Sequence, residues 1–146
     1  MKVRIFIEST WNGPKRKPGV AMWLVEYMAA GTPITRQGYI YLEDGTEAQG
    51  CLRALCNAFA ILKKPCETVI YTQCQHILNT MTNSWQVQWA KAGWINAKGQ
   101  EVKNKFEWEK LMELMSKHTY IILGEHHDYQ NVMMAAVQKE YERWDQ

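Results

Sequence analysis

Val3, Ile5 and Ile7 occupy every second position against Lys2, Arg4 and Phe6, the period-two spacing of a strand. Residues 12–19 hold two glycines and two prolines and read as a turn. Residues 20–29 and 34–42 give two further strands, broken at Gly31-Thr32-Pro33, so the first three strands should form an antiparallel meander. Thr46-Glu47-Ala48-Gln49 is a capping-box signature with Thr46 as N-cap, and Leu52, Leu55, Cys56, Phe59 and Leu62 then recur at helical spacing until Pro65. Residues 68–72 form a short apolar strand, expected to be central and parallel to the first because a helix separates it from the meander.

Helical spacing returns at Ile77, Leu78 and Met81, and again at Trp85 and Trp89. After a glycine-containing loop over 93–102, Asn104 and Glu107 suggest a second capping box, opening a helix with Trp108, Leu111, Met112 and Met115 on one face. Residues 120–123 read as the last strand, and Val132, Met133, Ala136, Val137, Tyr141 and Trp144 as the last helix. The order βββαβαααβα describes one α/β domain over 1–146, a mixed five-stranded sheet flanked by helices.

Composition changes this picture little: 47% apolar and 22% charged residues are ordinary for a globular chain, and a net charge of +2 announces no general affinity for polyanions. Distribution says more than the sum. Lys15, Arg16 and Lys17 form one basic cluster, and Lys91, Lys98, Lys103 and Lys105 another, the second set among several of the seven tryptophans. Cys51, Cys56, Cys66 and Cys74 show neither a C-x-x-C pair nor zinc-type spacing. The N-terminus has no signal-peptide pattern, and no apolar run approaches the ~18 residues of a membrane span. These features point to a cytoplasmic protein with free thiols and no membrane association.

The order of elements, and three stretches of sequence, resemble the ribonuclease H family of the bacterial type 1 kind. L-K-K-P-C-E-T-V-I-Y-T-Q-C-Q from Leu62 resembles the family's fourth strand and the entry to the next helix. Trp85, Trp89 and Trp94, with V-K-N-x3-W from Val102 to Trp108, resemble its basic protrusion. F-I-E-S-T-W-N-G-P from Phe6 resembles its opening Y-x-D-G-S-x3-N-P-G less closely. The resemblance covers essentially the whole chain. It implies a ribonuclease H-like fold and, in the family, two-metal phosphodiester hydrolysis in which four carboxylates hold divalent cations about 4 Å apart.

Carried over by this resemblance, the four acids fall on Glu8, Cys51, Gln73 and Ala135, and a loop histidine falls near Glu125. One carboxylate of four remains, lengthened by a methylene. Two divalent cations at that separation repel by ~17 kcal/mol at an effective dielectric of ~20, which four carboxylates offset and one does not. The expectation is therefore a ribonuclease H homologue without hydrolytic activity and without a cofactor. It would bind an RNA–DNA hybrid or duplex through Thr46, Lys91, Trp94, Lys103 and Lys105, with Trp85 and Trp108 packing the small helices. Asp44 and Glu47 add negative charge beside Thr46.

Two alternatives stand beside it. A divergent magnesium- or manganese-dependent nuclease would use a relocated site built from Glu8 with Glu125, His126, His127 and Asp128. Neighbours in extended backbone point in different directions, which works against four consecutive residues meeting at one metal. A protein-interaction module is the third reading.

Overall fold

The computed structural model describes residues 1–144. Ten elements follow in the expected order: β1 (Lys2–Ser9), β2 (Lys17–Ala29), β3 (Thr32–Gly45), α1 (Glu47–Ala60), β4 (Glu67–Thr72), α2 (Gln75–Thr82), α3 (Trp85–Lys91), α4 (Lys105–Met115), β5 (Thr119–Leu123) and α5 (Gln130–Trp144). The five strands make one sheet in the order β3-β2-β1-β4-β5. β1–β2 and β2–β3 are antiparallel, whereas β1–β4 and β4–β5 are parallel.

The central strand β1 is buried on both faces, so its alternation separates two cores. Val3, Ile5 and Ile7 join Trp23 and Val25 beneath Leu52, Leu55 and Phe59 of α1. On the other face Phe6 joins Val20, Met22 and Leu24 beneath Met133 and Val137 of α5. Burial of an aliphatic or aromatic side chain stabilises by ~1.5–3 kcal/mol, so these two layers hold the sheet's middle firmly and leave its ends less covered.

Thr46 caps α1 as its sequence predicts, its Oγ1 accepting from the Gln49 N–H at 3.2 Å. The second capping box does not form. Asn104 is left-handed (φ 60°, ψ 31°) and its side chain makes no cap hydrogen bond. An N-cap needs extended backbone to aim its side chain along the helix, so Asn104 cannot act as one. Glu107 instead is buried and accepts from Arg53 Nε at 3.2 Å and Gln49 Nε2 at 3.5 Å, tying α4 to α1. None of the described helices is long and apolar enough to cross a membrane.

Candidate functional site

The carboxyl ends of β1 and β4 open into a cleft of about 280 Å³ between α1 and α5. Glu8, Cys51 and Gln73 all line it, together with Glu47 and Cys74. Ala135 does not. The residues of α5 that face the cleft are Gln130 and Met134, one helical turn apart, while Ala135 is exposed. Met134 rather than Ala135 thus turns to the cleft, one residue on a helix being a rotation of ~100°.

Glu8, Cys51 and Gln73 are each already engaged within the chain. Glu8 is buried, and its Oε2 lies 2.9 Å from His127 Nε2, itself buried. His127 Nδ1 accepts the Tyr129 N–H at 3.2 Å, so the proton of the neutral ring sits on Nε2 and is donated to Glu8. Burial pushes the Glu8 carboxyl up to about 7 and holds the His127 imidazole down to about 4. Cys51 and Cys74 are buried and hydrogen-bonded to each other, which with burial raises the Cys51 thiol while the same bond lowers that of Cys74. Gln73 donates from Nε2 to the Gly124 carbonyl at 2.9 Å. Burial also raises the Glu47 carboxyl.

His127, Asp128 and Tyr129 are each held by contacts to the sheet. Arg4 pairs with Glu26 through two bonds of 2.8 and 3.0 Å and reaches Asp128 at 3.2 Å, while the Tyr129 hydroxyl donates to Glu26. The Arg4 guanidinium holds the Glu26 carboxyl below its ordinary range. His127 packs on Phe6 with ring centroids 4.5 Å apart. Glu125 and His126 stay exposed. Of the four loop residues, His127 alone meets Glu8, and among the described residues no group of three or more His, Cys, Asp or Glu is placed to hold a metal.

The model of the RNase H family matches residues 3–126. The chain belongs to the ribonuclease H family. It is 34% identical over 124 residues to a ribonuclease H of Geotalea uraniireducens, covering 81% of this chain and 76% of that one. It is 26% identical to a ribonuclease H of Nitratidesulfovibrio vulgaris, with 80% and 72% covered. Among solved structures, LC9-RNase H1, a type 1 RNase H with the type 2 active-site motif, superposes with a TM-score of 0.72 at 22% identity, over 98% of this chain and 80% of that one. LC11-RNase H1 in complex with an RNA/DNA hybrid superposes at 0.54 and 12% identity, over 84% and 86%. The last two likenesses establish the fold.

Ribonuclease H chemistry calls for divalent cations, and the residues in this cleft do not fit them. Magnesium and manganese favour carboxylate, carbonyl and water oxygens. The cleft presents two carboxyls, Glu8 already taking a hydrogen bond and Glu47 raised by burial, two buried thiols, an amide donating elsewhere and, on α5, an amide and a thioether.

The segment expected to resemble a basic protrusion is only partly as expected. Lys91 and Lys103 are exposed, and Lys105 is partly exposed, its Nζ 3.9 Å from Glu101. Trp94 is not an exposed platform: it is 8% exposed and packed in the α1-side core, its left-handed backbone (φ 66°) turning the ring inward. Trp108 is buried as expected, but Trp85 is 41% exposed. The sequence reading missed Phe106, 74% exposed beside Lys105. Its place off the Trp108–Leu111–Met115 stripe of α4 was the available signal. Thr46 is occupied as the α1 cap, and Arg16 beside it donates to the Asp44 carbonyl at 2.8 Å.

Proposed function

We propose that this chain is a non-hydrolytic ribonuclease H homologue that binds nucleic acid, an RNA–DNA hybrid or duplex, on the face carrying Lys91, Lys103 and Lys105. The single observation that carries the loss of hydrolysis is the buried Glu8–His127 pair: the one acid left of the four positions the resemblance implies accepts a hydrogen bond from a ring nitrogen instead of facing a cation. Cys51, Gln73 and Met134 supply no carboxylate to replace it.

Binding draws its support from the exposed lysines on a family scaffold, and from the solved relative that holds an RNA/DNA hybrid. Phosphate pairing by lysine releases counterions, so such binding weakens as salt rises. Phe106 and Trp85 take the stacking role expected of Trp94, as the exposed aromatics of this region. The four cysteines, free and buried, support a reducing, cytoplasmic setting.

The test is a labelled RNA–DNA hybrid incubated with the unmodified protein and magnesium or manganese, alongside a fluorescence titration at low and moderate salt. Salt-sensitive binding without metal-dependent cleavage supports the reading. Cleavage abolished by removing Glu8 or His127 establishes the divergent nuclease instead, and absence of binding at low salt leaves the interaction module.

A further inference from the structure

The outer edge of the sheet carries a self-complementary strand. β5 is the edge beyond β4, and its five residues, T-Y-I-I-L, include no charge and no proline, the usual devices that discourage strand addition. The Thr119 N–H donates to the Cys66 carbonyl at 3.1 Å, and the parallel register then turns the backbone groups of Thr119, Ile121 and Leu123 towards β4. Those of Tyr120 and Ile122 face away from the sheet. The Tyr120 side chain is fixed inside, its hydroxyl donating to the Met81 carbonyl at 3.3 Å and accepting from Gln86 at 3.1 Å, so the strand is rigid although its edge is open.

We infer that β5 is a homodimer interface in which two copies pair their β5 strands antiparallel about Ile121, joining two sheets into one of ten strands. With Ile121 on the twofold axis, Tyr120 lies opposite Ile122 of the second copy. These are the residues whose N–H and C=O groups face outward, so both such pairs close as hydrogen-bonded pairs. Thr119 then lies opposite Leu123. Beyond the strand ends, Lys117 approaches Glu125 of the second copy, and does so twice. Both are exposed, and among the described residues neither takes part in an ion pair within the chain. A one-residue shift of register would turn outward-facing backbone groups against inward-facing ones, and a two-residue shift would separate these charges.

The sheet face supplies the apolar component. Glu26, Arg4, Val69 and Ile121 form one row across the four strands. α5 covers Phe6 and Leu24 further along but leaves this end open as a groove of about 710 Å³ that also includes Met28. Ile121 is 61% exposed and Met28 57%. Directly opposed residues in an antiparallel pair project to the same face, so the two Ile121 side chains meet and the two grooves become continuous.

Sedimentation equilibrium of the full chain over a concentration series tests the pairing. A reversible dimer is expected, and Ile121→Lys, which sets two ammonium groups face to face, should raise its dissociation constant by about tenfold or more. Because Ile121 is exposed, an unchanged circular dichroism spectrum will show that the variant folds. Lys117→Glu or Glu125→Lys alone should weaken the dimer, and the double exchange should restore it. In hydrogen exchange, the Tyr120 and Ile122 amides should gain protection as concentration rises, while Thr119 and Ile121 stay protected throughout. A chain that stays monomeric over the whole series overturns the inference. So does a dimer indifferent to Ile121→Lys, and failure of the double exchange to restore pairing overturns this register.

Discussion

His127 Nε2 stands 2.9 Å from Glu8 Oε2 with both side chains buried, so the one retained acid of the cleft is satisfied from within the chain. Its consequence for stability has a definite sign. The Glu8 carboxyl is raised from 4.5 to about 7, so its contribution is full at low pH and is lost as pH rises through 7. The His127 imidazole is lowered from 6.5 to about 4, so its contribution is full above 6.5 and is lost as pH falls through 4. Between 4.5 and 6.5 the two slopes oppose and nearly cancel. Glu8→Gln keeps an oxygen acceptor for the Nε2 proton and removes one slope. Relative to the parent, this variant should gain stability with rising pH across that window, by up to ~1.4 kcal/mol per pH unit. Urea unfolding at several pH values checks it. A variant slope equal to the parent's would mean the two groups do not titrate as a buried pair.

Restoring the acids should distinguish the two neighbouring positions on α5. Glu8→Asp, Cys51→Glu and Gln73→Asp place carboxylates at the cleft, and Met134→Asp completes the set, whereas Ala135→Asp points to solvent. Metal-dependent hydrolysis of a hybrid is expected for the quadruple variant with Asp at 134 and not for the one with Asp at 135. Clustered carboxylates repel until metal arrives, so folding should be followed with magnesium present. Equal activity of both variants would contradict the orientation of α5.

Element order was readable from the sequence because hydrophobic period and turn residues are local signals. Both faces of β1 had to be apolar once helices covered them, whereas α1 ends at Ala60 with Ile61 as its C-cap, short of Leu62 and ahead of Pro65. The cleft and its long-range partners were less accessible. Spacing on α5 does not distinguish Met134 from Ala135, since both lie off the Met133–Val137 stripe and only the angle of the helix on the sheet decides between them. The apparent box at Asn104 and Glu107 failed because Asn104 itself is left-handed and a distant arginine, Arg53, claimed the glutamate. Trp94 looked like part of a repeated surface pattern, yet a positive φ turned it inward.

Trp94 and Phe106 should consequently behave in opposite ways. Trp94→Ala removes a buried ring and should cost ~3–5 kcal/mol of stability. Phe106→Ala should leave stability within ~0.5 kcal/mol while weakening hybrid binding. Neutralising Lys91, Lys103 and Lys105 together should flatten the dependence of log affinity on log salt, by ~0.7–0.9 for each phosphate that no longer meets an ammonium group. Chemical denaturation and titrations at several salt concentrations measure both effects. If Phe106→Ala binds as well as the parent, stacking plays no part at this surface.

The last expectation concerns Trp11, whose buried indole is wedged between β2 and α1. Its Nε1 donates to the Lys17 carbonyl at 3.0 Å. A Cβ on Gly19 would lie 2.3 Å from the ring, and one on Gly50, in the first turns of α1, would lie 2.5 Å from its other edge. Helix propensity alone favours Gly50→Ala by ~1 kcal/mol. Overpacking opposes it by ~1–3 kcal/mol, and the ring cannot retreat because Gly19 and the Lys17 carbonyl hold its far side. Gly50→Ala should therefore destabilise the chain by up to ~2 kcal/mol, against its helical preference. Trp11→Phe supplies the control, since the smaller ring vacates the contested space at its own cost. In that background Gly50→Ala should become neutral or stabilising, giving a coupling of ~1 kcal/mol or more in a double-mutant cycle. Additive effects of the two substitutions would show that the indole does not set the approach of α1 to the sheet.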